Sequence, residues 1–221
     1  MKKFITSVIA CSMALLALAS CGKSSGGKKK EKTADITGKW ALSDSPSEDI
    51  ESVGLIFSDK GKGSIYEETT PVFSFTEDSM ILYGYAIDKE YISEENDVVT
   101  VSLNNSDVIV MKRLESGGSG YNGKYDLTGG SLYDSLSNAY PSDSGKADIT
   151  VELKDDKSFV VFNDLFTYET KGSDLVISGC SPLINPSADE NSDEMTAEFK
   201  VDGDTLTITD DKNSNVLTRV A

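Results

Sequence analysis

The stretch Ile36-Thr37-Gly38-Lys39-Trp40 decides the predicted fold, because a stretch of the same pattern, Tyr121-Asn122-Gly123-Lys124-Tyr125, occurs again later in the chain. Each stretch opens a series of short apolar runs that are separated by polar turns. The sequence therefore predicts two copies of one domain, residues 36–114 and 121–221. The glycine-rich segment between them, residues 115–120, is predicted to be a flexible linker.

The closing runs of the two copies also match each other. The chain has two arginines, Arg113 and Arg219, and each lies in the last apolar run of its copy. This placement indicates that the two arginines have the same physical role.

Within the copies, apolar and polar residues alternate with a period of two, which is typical of β-strands with one buried face. By this rule we expect Phe159, Val161 and Phe166 to lie in the core. The turn Val201-Asp202-Gly203-Asp204 is the clearest hairpin signal, and Asp-Gly predicts type I′ geometry. Residues 130–140 have apolar side chains at helical spacing and predict a short helix. The chain is otherwise predicted to be all-β, with about eight short strands in each copy.

An opening Gly-x-Trp, a meander of about eight strands and a closing strand with an arginine resemble the lipocalins. In that family the tryptophan closes one end of an up-and-down antiparallel β-barrel, and the late arginine packs across the indole. The resemblance implies two small lipocalin-like barrels, each closed by an arginine and an aromatic residue of the same copy. The matching positions are Gly38, Trp40 and Arg113 in the first copy and Gly123, Tyr125 and Arg219 in the second.

The copies are short for lipocalins, so we expect short strands. The interior of an eight-stranded barrel is just wide enough for side chains to fill or for one small ligand to occupy. Short strands favour a filled interior, but a small apolar ligand in the barrel mouth remains an alternative. Tyrosines near the expected strands and helix are the candidate ligand contacts: Tyr83, Tyr85, Tyr133 and Tyr140.

The N-terminus predicts export. Two lysines precede an apolar run that ends near Ala19, and this run is too short to span a hydrocarbon layer of ~30 Å comfortably. We therefore interpret residues 1–20 as a removable signal peptide. The tetrapeptide Leu18-Ala19-Ser20-Cys21 resembles the lipobox of bacterial lipoproteins, in which the cysteine is lipidated and the peptide before it is removed.

This resemblance implies that acylated Cys21 anchors the protein in membrane lipid, on the outer face of the bacterial cytoplasmic membrane. Residues 21–35 are then a flexible, basic tether. The rest of the chain, from Thr33 onward, has 14 basic and 36 acidic side chains, which gives a net charge of −22. Such a negative surface repels nucleic acid, so we expect no nucleic-acid partner.

The composition also argues against catalysis. The chain has no histidine, which excludes the commonest general base and the usual serine triads. Acidic loops at 187–194 and 210–215 collect oxygen atoms, but neither has the spacing of an EF-hand, and we interpret both as solvated loops. We therefore expect no enzyme activity, no catalytic residue, no metal and no cofactor.

The predicted function is that of a non-enzymatic binding or structural module of the cell envelope. Its expected partners are membrane lipid and either a small apolar ligand or an envelope protein. The alternative is a cell-surface protein-interaction module with filled barrels and no small-molecule ligand.

Overall fold

The structure is a computed structural model. It describes residues 34–42, 50–69, 73–75, 79–82, 85–117, 120–139, 146–154, 157–179, 194–209 and 214–220. Within these ranges the chain is all-β apart from one α-helix and one short 3₁₀ turn. The predicted fold class is confirmed at this level.

The strands are short, as expected, with two exceptions of eleven and fifteen residues. The elements before the predicted linker are β1 (Gly38–Leu42), β2 (Ile50–Phe57), β3 (Lys62–Thr69), β4 (Phe73–Phe75), β5 (Ser79–Leu82), β6 (Tyr85–Asp88), a 3₁₀ turn (Lys89–Tyr91), β7 (Ile92–Glu95), β8 (Val98–Leu103) and β9 (Ser106–Ser116). The elements that follow are β10 (Gly123–Gly129), α1 (Ser131–Ala139), β11 (Asp148–Lys154), β12 (Lys157–Lys171), β13 (Asp174–Ser178), β14 (Glu194–Asp202), β15 (Thr205–Thr209) and β16 (Ser214–Val220).

Local sequence explains the turns and the helix. The turn Asn96–Asp97 joins β7 to β8, and both residues have the positive φ that a type I′ turn requires. At Gly203–Asp204, between β14 and β15, only the glycine has a positive φ, so the predicted type I′ geometry is wrong there although the hairpin is present. The predicted helix is confirmed as α1.

Hydrogen bonds join thirteen strands in the order β13-β14-β15-β16-β1-β2-β3-β12-β11-β10-β9-β8-β7, and β13 also pairs with β12. A second sheet has the order β4-β5-β6. Because of the extra pairing, the eight strands β1, β2, β3, β12, β13, β14, β15 and β16 form a closed ring. A closed ring leaves no strand edge unpaired.

The chain divides into two compact units that interleave along the sequence. Of the residues described, unit 1 contains those within 1–46, 53–65 and 164–221, and unit 2 contains those within 47–52 and 66–163. Strands β2, β3 and β12 therefore supply residues to both units. The predicted domains, 36–114 and 121–221, do not correspond to these units.

The reason for this difference is the pairing of β9 with β10. Arg113 lies opposite Tyr125 and Ser116 lies opposite Gly123, while the amide of Gly117 donates to the carbonyl of Asn122 at 2.8 Å. Glu115 and Ser116, the first two residues of the predicted linker, are thus strand residues of β9 that pair with β10. Closing the short loop between these strands costs little entropy, which favours pairing between strands that are neighbours in sequence.

The core of unit 1 contains an aromatic cluster that joins early and late parts of the chain. The ring centroid of Phe57 lies 6.0 Å from that of Phe166 and 4.9 Å from that of Tyr168, both in edge-on geometry. The hydroxyl of Tyr168 donates to the carbonyl of Ser58 at 2.7 Å. The amide of Tyr168 donates to the carbonyl of Gly61 at 2.8 Å. Strand β12 is therefore fixed against the β2–β3 hairpin.

Strand β12 also shows where the period-two rule failed. Ser158 and Phe162 are fully buried, whereas the predicted core residues Phe159 and Val161 are half-buried. The run from 159 to 162 is apolar at every position, so alternation could not choose the inward face. The predicted burial of Phe166 is confirmed at 5% exposure.

Gly63 in β3 shows how closely this strand approaches Phe166 of β12. A Cβ atom at this position would lie 1.9 Å from Cε2 of Phe166. Any side chain at position 63 must therefore displace the Phe166 ring from the core of unit 1.

We expect Gly63→Ala to lower the free energy of unfolding by about 1–3 kcal/mol through overpacking against Phe166. Gly129→Ala is the matched control, because a Cβ there would lie at an ordinary 3.6 Å from Val110. The measurement is urea denaturation followed by circular dichroism. Replacing Phe166 with leucine should reduce the cost of Gly63→Ala, and strictly additive effects would contradict this packing.

Candidate functional site: two arginine–aromatic closures

Trp40 forms the first of two arginine–aromatic closures. Its side chain is fully buried, and its indole N–H donates to the carbonyl of Ile36 at 2.8 Å. The guanidinium carbon of Arg219 lies 4.1 Å from the centre of the indole. A cation at this distance over a tryptophan stabilises the pair by ~0.5–2 kcal/mol, depending on desolvation.

Hydrogen bonds fix Arg219 in this position. Its Nη1 donates to the carbonyl of Thr37 at 2.8 Å, and its amide donates to the carbonyl of Asp204 at 2.7 Å. The arginine also needs the space left by Gly38, since a Cβ there would lie 2.8 Å from Nη1. Gly38 has a φ of +120°, which L side chains rarely adopt. The opening glycine, the tryptophan and the arginine thus form one unit of structure.

Tyr125 forms the second closure. Its ring is fully buried, and its hydroxyl donates to the carbonyl of Tyr121 at 2.7 Å. The guanidinium carbon of Arg113 lies 5.4 Å from the ring centre. The Nη2 atom of Arg113 donates to Oε1 of Glu94 at 3.0 Å, and the arginine amide donates to the carbonyl of Asp97 at 2.7 Å. Gly123 has a φ of +148°.

The two closures therefore repeat the same contacts. In each, the buried aromatic donates to the carbonyl four residues earlier, and the arginine lies over the ring. In each, the backbone amide of the arginine donates to the carbonyl of the aspartate that directly precedes the neighbouring strand, β8 or β15. The second closure is looser, because the arginine is farther from the ring and its buried Nε has no hydrogen-bond partner among the described residues.

The electrostatics of the second closure follow from burial. Burial raises the pKa of Tyr125, and the nearby cation of Arg113 opposes that rise. Around the first closure, hydrogen bonds from Thr37 lower the pKa of Asp35. In both closures the charged arginine contacts an aromatic ring and donates hydrogen bonds to oxygen acceptors.

The predicted partners of the two arginines are wrong. The lipocalin resemblance implied Arg113 on Trp40 and Arg219 on Tyr125, but Arg219 lies on Trp40 and Arg113 lies on Tyr125. The exchange follows from strand pairing, since β1 pairs with β16 and β9 pairs with β10. Both arginines, both aromatics and Gly38 take part in these closures with the partners exchanged, whereas a Cβ at Gly123 would lie 2.3 Å from the carbonyl oxygen of Glu115 and not against Arg113.

Sequence reasoning missed the residues that support the arginines, namely Glu94 and the carbonyls of Asp97 and Asp204. A usable signal existed, because Asn96-Asp97 and Gly203-Asp204 are turn sequences whose aspartates lie 16 and 15 residues before the arginines.

Of the four tyrosines predicted as ligand contacts, the structure describes the side chain of Tyr133. The hydroxyl of Tyr133 in α1 donates to the carbonyl of Ala147 at 2.9 Å, so it ties the helix to the chain before β11. Tyr85 lies in β6, where the structure describes the backbone alone. Tyr83, Tyr140 and the lipidation candidate Cys21 lie outside the described residues.

One groove of about 520 Å³ occurs where β9 and β11 end and β10 begins. Its lining includes Glu115, Asn122, Lys124, Glu152 and Lys154. Lys154 pairs with Glu152 at 3.1 Å, and both side chains are largely exposed. The groove is polar and does not match the apolar barrel mouth expected for a small apolar ligand.

Two features are absent from the described part of the chain. No group of three or more histidine, cysteine, aspartate or glutamate side chains is placed to hold a metal ion there. None of the helices in that part is long and apolar enough to cross a membrane.

Glu67 in β3 is a buried carboxyl that the sequence did not single out. Its exposure is 3%, and Oε1 has no hydrogen-bond partner among the residues described. Burial raises the pKa of Glu67 to about 8. The period-two rule places Glu67 on the same face as Ile65, so a carboxylate on an apolar face was the signal that could have identified it.

Comparisons with known proteins add no relative: no protein-family model, no curated protein and no solved structure matches this chain.

We expect Arg219→Lys to lower the free energy of unfolding by about 1–2 kcal/mol, because lysine loses the planar stacking on Trp40. Arg113→Lys should cost less, since Arg113 lies farther from its ring. Lys112→Arg, on the exposed face of β9, is the control and should change little. Urea denaturation measures all three, and an equal effect of Arg219→Lys and Lys112→Arg would contradict the stacking.

The buried carboxyl predicts a specific pH dependence. Since the folded-state pKa of Glu67 lies above its ordinary 4.5, the unfolded chain binds fewer protons between pH 4.5 and about 8. The contribution of Glu67 should therefore lower the free energy of unfolding progressively as the pH rises through this window. Below pH 4.5 this contribution should be small. Glu67→Gln should remove that slope, whereas Glu198→Gln on the exposed face of β14 should keep it. The check is the free energy of unfolding measured across pH 4.5 to 8.5, and an unchanged slope in Glu67→Gln would refute the assignment.

Proposed function

We propose that this protein is a lipid-anchored lipoprotein of the bacterial cell envelope, and that it acts as a non-enzymatic structural or protein-interaction module. The proposal for the anchor rests on the sequence around Cys21 and on the basic tether that follows it. The proposal for the module rests on the closures, because they use their arginines, aromatics and acids to hold strands together.

We also propose that unit 1 is a lipocalin-like β-barrel. The closed ring of eight antiparallel strands supports this, together with the arginine–tryptophan contact at the end of β1 and β16. Tandem duplication of an ancestral barrel would account for the matching contacts of the two closures.

For unit 2 we propose a second barrel with two interrupted strands. Strand β3 ends at Thr69 and β4 begins at Phe73, with Pro71 between them, which has no N–H for a ladder hydrogen bond. Similarly, the 3₁₀ turn Lys89–Tyr91 separates β6 from β7. If β3 and β4 are counted as one strand, and β6 and β7 as another, the strand pairings form a closed ring of eight strands.

The burial of large side chains in unit 1 is the single observation that favours an interaction module over ligand capture. In unit 1, Trp40, Phe57 and Leu206 have exposures of 0–1%, and Phe57 contacts two further aromatic rings. Side chains packed in this way occupy the volume that a ligand would need. The partner we propose is therefore another envelope protein that contacts an outer face.

The anchor is tested by growing cells with a clickable fatty acid. Cys21→Ser should abolish labelling and release the protein from the membrane fraction, whereas Cys11→Ser, within the predicted signal peptide, should keep both. Unchanged labelling of Cys21→Ser would overturn the anchor. A small molecule retained by the full chain in native mass spectrometry would overturn the filled-interior proposal in favour of ligand capture.

A further inference from the structure

The two halves of the sequence exchange strands inside unit 1. We call residues 36–114 the N-half and residues 121–221 the C-half. The N-half supplies β1, β2 and β3 to the closed ring, and the C-half supplies the end of β12 and all of β13 to β16. Neither half alone contains the eight strands of this ring.

The strand junction between β1 and β16 has a fixed register. Lys39 lies opposite Val220, and Trp40 lies opposite Arg219. Trp40 belongs to the N-half and Arg219 to the C-half, so the first closure is itself a contact between the halves.

The other junction in unit 1 joins β3 to β12. The amide of Asp164 donates to Oγ of Ser64 at 3.0 Å. Asp164 has a φ of +50°. With the Phe57, Phe166 and Tyr168 cluster, this junction has buried aromatics and backbone hydrogen bonds, as a domain core has.

Unit 2 contains a reciprocal junction. There β9 of the N-half pairs with β10 of the C-half, and the second closure places Arg113 of the N-half over Tyr125 of the C-half. Both closures therefore join the two halves, and each unit is incomplete without the other half.

We propose that each half is the binding partner of the other, so that the chain stays assembled after a cut between Gly117 and Gly120. Gly117 and Gly120 are exposed, and exposed turns of small residues are preferred sites of proteolytic nicking. If the anchor at Cys21 proposed above is correct, which this last step requires, the C-half stays at the membrane after such a cut. The exchange thus protects an envelope protein against losing half of its folded part.

The test is a specific protease site inserted between Gly118 and Ser119 of the full chain carrying Cys21→Ser. After complete cleavage, we expect both fragments to elute together at the position of the uncut chain in size-exclusion chromatography. Two separate folded fragments, or dissociation into unfolded ones, would overturn the proposal. Because the Cys21→Ser chain has no thiol at position 21 to be acylated, the result does not depend on the proposed anchor.

A cysteine pair gives a second measurement that does not depend on the insertion. In the full chain with Cys11, Cys21 and Cys180 changed to serine, Lys39→Cys with Val220→Cys should form an intrachain disulfide, since opposed Cα atoms in antiparallel strands lie within ~4.5–5.5 Å. The matched control is Lys39→Cys with Leu114→Cys, because Leu114 follows Arg113 as Val220 follows Arg219. Cross-linking of the control pair in place of the first pair would overturn the proposal.

The step that involves the membrane is tested last, with the wild-type cysteines. After cleavage of the inserted site on intact membranes, the C-half should sediment with the membrane. Its release, when the Cys21→Ser fragments do elute together, would refute the anchor and leave the assembly of the halves standing.

Discussion

The pairing of the first strand with the last is the constraint on which the rest of the structure depends. When Trp40 lies opposite Arg219, β1 and β16 become neighbours and the ring of eight strands closes. The ring then has no exposed edge. The arginine over the indole adds a contact that is specific in geometry, because the flat guanidinium also bonds to the Thr37 carbonyl.

The same constraint explains why the units interleave. Once β1 is held by β16, the strand β9 has no partner in β1 and pairs with its neighbour in sequence, β10. The two arginines therefore keep their role but exchange their aromatic partners between the halves. The local sequence of the two halves is compatible with pairing of β1 with either β9 or β16. The short connection between β9 and β10 favours the hairpin that these two strands form.

Burial of polar groups shows where this architecture is under strain. Glu67 is a carboxyl in an apolar environment, and its raised pKa reflects the cost of placing a charge there. It lies in β3, one of three strands that supply residues to both units. Ser64 in the same strand is also buried, but it accepts a hydrogen bond from Asp164 and its polar group is satisfied.

Sequence alone determined the all-β class, the helix at 131–139, most hairpins and the arginines and aromatics of the closures. Period-two alternation, turn residues and the Gly-x-aromatic openings are local signals, and local signals fix local structure. The partners of the arginines, the burial of Phe162 in place of Phe159, and the composition of the two units were decided by tertiary structure. The local sequence does not distinguish the two possible aromatic partners of each arginine. Which ring an arginine contacts depends on which strands lie side by side in the folded sheet.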